Sequence, residues 1–216
     1  MTRVVSRKPW ITCAGLAWRW CHFDASTQPD LHYASSGGVV RVALPADLNA
    51  AVPKRRGEFL AGRLCATLAL RDAGCAGAVG RAGRAPVWPH GWAGSISHAG
   101  DLAMAVVSKN HARVGVDCEA VFCDDVMQQV ADVVLHPAEY AARPNDMGLR
   151  HFATLAFSAK EAAFKALSAD LPDIPDFKEA SVSDVGAHHI TLRFRDHVIP
   201  VQCTSHQARV VTLVTR

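Results

Sequence analysis

Two short segments carry the residues whose types and spacing could do chemistry. In Val114-Gly-Val-Asp-Cys-Glu119 two carboxylates alternate with apolar residues. In an extended strand alternate side chains share a face, so Asp117 and Glu119 stand with Gly115, about 7 Å apart at their Cα atoms, while Val114, Val116 and Cys118 face the other way. Carboxylates that close repel unless a cation lies between them. Oxygen donors without a His or Cys cluster suit Mg²⁺ or Mn²⁺ rather than Zn²⁺. Asp-x-Glu alone also describes an ordinary half-buried strand with a solvated acidic face. The second segment is Phe157-Ser-Ala-Lys-Glu-Ala-Ala-Phe-Lys-Ala-Leu167. At about 3.6 residues per turn, Phe157, Glu161 and Phe164 share a stripe. An unpaired carboxylate there is costly to bury. Lys165, four residues on, can pair with Glu161. A cation would make Glu161 a third carboxylate ligand beside Asp117 and Glu119, leaving Lys160 and Lys165 to meet a phosphate.

A basic set precedes these. Lys54-Arg-Arg56 opens an amphipathic stretch, and Arg63 follows on it. Arginine forks suit phosphate, and helix geometry aligns Arg56 with Arg63 better than Arg55. Arg84 lies in Gly83-Arg-Ala-Pro86, and Gly94-Ser-Ile-Ser-His98 closes on a polar pair, Ser97 and His98. Each of these alone also fits a solvated basic face or an ordinary histidine.

The elements that must position them follow from periodicity and punctuation. Pro53 opens a helix that runs to about Asp72 and stops near Gly74, and Leu149 to about Leu167 forms a second. Ser35–Gly38 reads as a turn, 74–94 as loop, and 170–177 as loop. Strands are expected at Gly94–Ser97 and Leu102–Ser108, the latter turning at Lys109–Ala112 into a returning hairpin strand, Arg113–Glu119. Pro137 starts a short helix after the apolar run Val130–Leu135. Strands close the chain at His189–Arg195, Val198–Cys203 and Arg209–Arg216. Helices and strands are mixed rather than alternating, so the class is α+β. Each half has one long helix followed by strands, a hint of two similar units, 1–110 and 111–216.

Composition narrows the function classes. Of 216 residues half are hydrophobic and 20% charged, which excludes wholesale disorder. No apolar run nears the ~18–20 residues of a membrane span. The patch Ile11–Trp18 is shorter still and runs into Arg19 without a small-residue cleavage site, which reads as a cytoplasmic chain. Seven scattered cysteines without Cys-x-x-Cys are expected to be reduced, and eleven histidines form no His-Glu-x-x-His. Residues 1–110 hold 13 Lys/Arg against 6 Asp/Glu, and residues 111–216 hold 10 against 14. A basic half suits an anionic ligand and an acidic half a cation. The basic residues lack interleaved aromatics, so no nucleic-acid partner is expected.

In this order, Lys54–Arg63, Ala85–Pro89, Gly94–His98, Val114–Glu119 and Phe157–Lys165 resemble the Sfp-type 4′-phosphopantetheinyl transferases, in the subgroup of the enterobactin synthase D component. The matching segments span 54–165, about half the chain. The resemblance implies two similar α+β halves in a pseudo-twofold arrangement with the active site between them. It implies transfer of 4′-phosphopantetheine from coenzyme A to a serine of an apo acyl or peptidyl carrier protein, releasing adenosine 3′,5′-bisphosphate. It assigns the metal to Asp117, Glu119 and Glu161, the pyrophosphate to Lys165 with Lys160, and the 3′-phosphate region to His98 with Ser97. Arg55 and Arg63 would bind the nucleotide end, and Gly83, Arg84, Ala85 and Pro86 would lie against adenine. Glu161 is the candidate general base. A monomer suffices for such a fold. The rival readings are another Mg²⁺-dependent phosphoryl enzyme, releasing inorganic phosphate, and a non-catalytic carrier-protein or nucleotide-binding module.

Overall fold

A computed structural model describes residues 5–24, 30–35, 38–171, 173, 175–206 and 208–216. The chain divides into two compact units, Met1–Ala112 and Arg113–Arg216.

In the first unit the strands are β1 (Leu16–His22), β2 (Asp30–Ser35), β3 (Gly38–Ala43), β4 (Gly80–Ala82), β5 (Ala85–Val87), β6 (Ala93–Ala99) and β7 (Leu102–Ser108). They form an antiparallel sheet ordered β1-β7-β6 and two hairpins, β2-β3 and β4-β5. Helix α1 (Pro53–Asp72) lies on the three-stranded sheet. Pro53 sits in its first turn, where a missing N–H costs nothing, and Gly74 at φ +84° follows its end. Leu60, Leu64, Cys65 and Leu68 fill the core against Cys21, Ala103 and Ala105. The centre of the expected Ser35–Gly38 turn, residues 36 and 37, lies outside the described residues.

In the second unit β8 (Val114–Ala120), β9 (Ala180–Val185), β10 (His189–Phe194), β11 (His197–His206) and β12 (Arg209–Thr215) form one antiparallel sheet ordered β8-β12-β11-β10-β9. Helix α2 (Asp124–Val134) and a short 3₁₀ turn at Pro137–Ala142 precede α3 (Leu149–Leu167), which packs across β8 and β12. In the expected loop 170–177, residues 172 and 174 lie outside the described residues. The unit is mixed helix and antiparallel sheet, α+β as expected. No helix among the described residues is long and apolar enough to cross a membrane.

Three expectations are corrected. Arg113–Glu119 does not return against β7. Both edges of β7 are taken by β1 and β6, and β8 pairs with β12, setting Asp117 opposite Thr212 and Glu119 opposite Val210. The stretch 74–94 is not all loop: Gly83 and Arg84 turn the β4-β5 hairpin, with Gly83 at φ +57°. Strands β1, β2, β3 and β9 and helix α2 have no counterpart in the sequence reading, which has only a turn at Ser35–Gly38 and an apolar run at Val130–Leu135 in those stretches.

Gly115 decides how close α3 comes to β8. A Cβ there would lie 1.9 Å from the Ala162 carbonyl oxygen and 2.7 Å from the Ala166 nitrogen. Only glycine lets the helix backbone touch the strand, and that approach brings the end of α3 over Asp117.

Candidate active site

The approach of α3 to β8 buries the acidic strand face rather than leaving it in solvent. Asp117 is 3% exposed. Lys165 donates from Nζ to Asp117 Oδ1 at 2.6 Å and to the Val116 carbonyl at 3.4 Å, and its Nζ lies 3.9 Å from Glu161 Oε2. Lys165 therefore stands between the strand carboxylate and the helix carboxylate. The i+4 spacing gave Lys165 a partner in Glu161; the shorter contact goes to Asp117. Glu161 is about a third exposed. The apolar stripe around it holds, because Phe157 and Phe164 both pack on Phe177, with ring centroids 5.1 and 5.9 Å apart.

The electrostatics show a shortage of positive charge. Burial pushes the Glu119 carboxyl up to about 8, helped by the Asp117 and Glu161 carboxylates and opposed by Lys165 and Arg209. Burial also raises Glu161, with Lys165 opposing and Asp117 adding. Burial works to lower Lys165, but Asp117, Glu161 and Cys118 together outweigh it and hold the ammonium above its ordinary value.

The donor set fits a hard divalent cation: three carboxylates, all oxygen, one of them driven toward protonation by burial and by the neighbouring carboxylates. Among the described residues no three His, Cys, Asp or Glu side chains are already gathered in the spacing of a metal shell. The folded Glu119 carboxyl, at about 8, binds its proton more tightly than at its ordinary 4.5. Its contribution is most favourable below its ordinary value and is lost as pH rises toward 8. In EDTA the Tm is expected to fall between about pH 5 and pH 8, and Glu119→Gln should flatten that slope; an unchanged slope in the variant would assign it to other groups.

Thr212, which the sequence left unremarked, and Ser158, which opens the Ser-x-Lys-Glu-x-x-x-Lys element, support this site. Thr212, opposite Asp117, donates from Oγ1 to the Ser158 carbonyl at 2.8 Å, and its hydroxyl lies 2.9 Å from the Ser158 hydroxyl. Both are fully buried and tie α3 to β12. A threonine inside an apolar run was the only signal for Thr212.

Lys160 is a correction. Its side chain is 0% exposed, and Nζ donates to the Val134 carbonyl at 2.6 Å and to Glu139, whose Oε1 is 2.9 Å away. The reason is helical: successive residues are about 100° apart, so Lys160 points into the core when Glu161 points to Asp117. Its charge is matched internally by Glu139.

In the first unit the structure brings together Arg55, Glu58 and His98. Arg55 Nη1 is 3.4 Å from His98 Nε2, and the Glu58 carboxylate lies 3.6 Å from Arg55 Nη1 and 3.6 Å from His98 Nδ1. Arg55, not Arg56, is thus the arginine beside His98. The Arg56 Nε is buried with no hydrogen-bond partner among the described residues. Ser97 and His98 do not act as a pair: they point to opposite faces of β6, and Ser97 is buried.

Arg63 is a further correction. It is 7% exposed, donates from Nη1 to the carbonyls of Val79 and Gly80, and stacks over Phe59 with its guanidinium 5.3 Å from the ring centroid. Its Nη1 is held at the entry to β4, so it braces the hairpin carrying the exposed residues Gly83, Arg84 and Ala85 and the half-buried Pro86. Burial lowers its pKa, and Arg81 adds to that.

Two family models divide the chain between them. Residues 44–108 match the 4′-phosphopantetheinyl transferase N-terminal domain, and residues 113–214 match the 4′-phosphopantetheinyl transferase superfamily. Enterobactin synthase component D of Salmonella typhi is 36% identical over 166 residues, covering 76% of this chain and 68% of that protein. The chain belongs to the 4′-phosphopantetheinyl transferase superfamily. Enterobactin synthase component D of Escherichia coli K12 is 46% identical over 125 residues, 56% of this transferase and 59% of that one. The 4′-phosphopantetheinyl transferase PptT of Mycobacterium tuberculosis is 39% identical over 122 residues, 53% and 52% of the two chains.

Proposed function

We propose that Asp117, Glu119 and Glu161 hold Mg²⁺ or Mn²⁺ while this transferase moves 4′-phosphopantetheine from coenzyme A to a carrier-protein serine. The observation that supports this most is the chain Asp117–Lys165–Glu161, buried at its Asp117 end, beside a Glu119 carboxyl raised to about 8. When bound, the cation would neutralise charge on the coenzyme's diphosphate. Lys165, held in place by Asp117, brings its positive charge to the same oxygens. Glu161, through a water, takes the proton of the attacking serine hydroxyl. The serine oxygen bonds to the β-phosphorus, the bridging P–O bond breaks, and adenosine 3′,5′-bisphosphate leaves. Positioning and charge supply most of the rate in such a transfer.

The first unit takes the nucleotide end in this reading. Arg55 and His98, held together by Glu58, face the 3′-phosphate, and the β4-β5 turn at Gly83–Pro86 lies against adenine. The relatives named enterobactin synthase component D make a carrier domain of a siderophore-type synthase the first partner to test. Incubation with coenzyme A, Mg²⁺ and apo carrier proteins should add about 340 Da to the carrier, the mass of the transferred group. Release of inorganic phosphate without that gain would favour a different phosphoryl enzyme.

The assignment of Arg55 has a crossed test. A charge-assisted contact to the 3′-phosphate is worth about 1.5–3 kcal/mol, so coenzyme A should be preferred to dephospho-coenzyme A by about tenfold or more in kcat/KM. Arg55→Ala should remove that preference and barely alter use of the dephospho donor. Arg63→Ala should lower both donors alike, since it loosens the hairpin. Equal losses on both donors for Arg55→Ala would reject the contact.

A further inference from the structure

Glu139 and Lys160 form a second charged cluster in the same unit, outside every contact assigned to coenzyme A. Glu139 is 3% exposed and Lys160 0%. The Glu139 carboxylate takes three donors, two backbone N–H groups and one ammonium. The His136 N–H reaches Oε2 at 2.7 Å, the Val182 N–H reaches Oε1 at 2.7 Å, and Lys160 Nζ lies 2.9 Å from Oε1 and 3.2 Å from Oε2. Lys160 also donates to the Val134 carbonyl at the end of α2. One ion pair thus ties α3 to α2, to the 3₁₀ turn and to β9.

A buried ion pair is a poor way to gain stability, because a well-packed apolar replacement is often as stable or more so. What it does supply is direction. Two rigid backbone donors and one carbonyl define where the ammonium sits, whereas an apolar contact tolerates rotation and sliding. Lys160 immediately precedes Glu161, and Lys165 follows on the same helix. Setting the azimuth of Lys160 therefore sets where Glu161 and Lys165 point.

We propose that the Glu139–Lys160 pair is a positioning device for the reaction: it fixes the rotation and axial position of α3 so that Glu161 and Lys165 meet Asp117. The inference rests on the role proposed above for Glu161. It touches neither substrate nor cation, and its effect passes through the helix.

The test is the neutral double variant Lys160→Met/Glu139→Gln, which leaves no buried charge unpaired. Its Tm is expected to stay within a few degrees of wild type, with a full-amplitude cooperative transition. Against a purified apo peptidyl carrier protein, kcat should fall at least tenfold and KM for coenzyme A change less than threefold. Mn²⁺ titrated calorimetrically into protein plus coenzyme A, without carrier, should bind at least threefold more weakly. A loss of folded fraction would lower kcat without moving that affinity. Wild-type kcat and wild-type Mn²⁺ affinity in the folded double variant would overturn the proposal. If the double variant does not fold, Glu139→Asp keeps the charges but shortens the anchor; it should lower kcat at least threefold with weaker Mn²⁺ binding, and wild-type values there would equally overturn it. Absence of transfer by the wild-type protein would instead reject the role of Glu161 itself.

Discussion

Glu161→Ala is expected to lower kcat/KM for transfer by at least about 10²–10³-fold, the scale of losing one preorganised electrostatic group at a reacting centre. Its stability should not fall with it. Glu161 is a partly buried carboxyl that burial already holds above its ordinary pKa, and its ion pair with Lys165 is the longer of the two that lysine makes. Removing the charge relieves Glu119 and Asp117 of a like neighbour, so the metal-free Tm should stay level or rise. Glu119→Gln is expected to match it in activity and in direction of stability. Asp117 differs, because Lys165 depends on it at 2.6 Å. Asp117→Asn is the cleaner variant there, losing activity on the same scale and also some stability. EDTA should silence the wild type, and Mg²⁺ or Mn²⁺ restore it. Undiminished turnover in EDTA, or by Glu161→Ala, would remove the metal from the reaction.

Breaking the buried Glu139–Lys160 pair from one side is expected to have the largest effect on folding. Lys160→Ala leaves a carboxylate with 2% side-chain exposure lacking its cation, and also leaves the Val134 carbonyl without its donor. Losses of this kind run to about 3–5 kcal/mol. For a chain of this size that is roughly 6–20 °C in Tm. Thermal denaturation followed by circular dichroism measures it. The Arg113–Asp170 pair has equally short contacts, 2.6 Å at the closest, but both side chains are well exposed. Arg113→Ala should cost only about 0–1 kcal/mol. Equal losses from Lys160→Ala and Arg113→Ala would mean that solvent reaches the inner pair.

Local periodicity determined a good deal of this protein. Proline at the start and glycine past the end bracket α1; the apolar spacing over 149–167 forms α3; alternation sets Asp117 and Glu119 on one face of β8 with Gly115. The co-occurrence of that strand with Glu161 and Lys165 pointed to the right family and to the residues that meet in the second unit. These features are legible because a side chain's direction from its own helix or strand depends only on residues a few positions away.

What a face meets is a different matter, and only the tertiary structure decided it. Alternation could not say whether the Asp117 face lay in solvent or under a helix; the space at Gly115, filled by the Ala162 carbonyl, puts it under α3. Spacing treated Lys160 and Lys165 as two lysines of one signature, yet one is bound by Glu139, more than twenty positions earlier, and the other by Asp117, nearly fifty earlier. Arg63 had the arginine fork for a phosphate, but it is buried, with Nη1 bound to the carbonyls of Val79 and Gly80. Proximity in sequence suggested that β8 would fold back on β7, but β7 has both edges filled and β8 pairs with the last strand of the chain. In each case the partner is remote in sequence, and a charge or a strand edge is claimed by whichever group the packed core brings within reach, because burying it unpaired costs more than any local preference supplies.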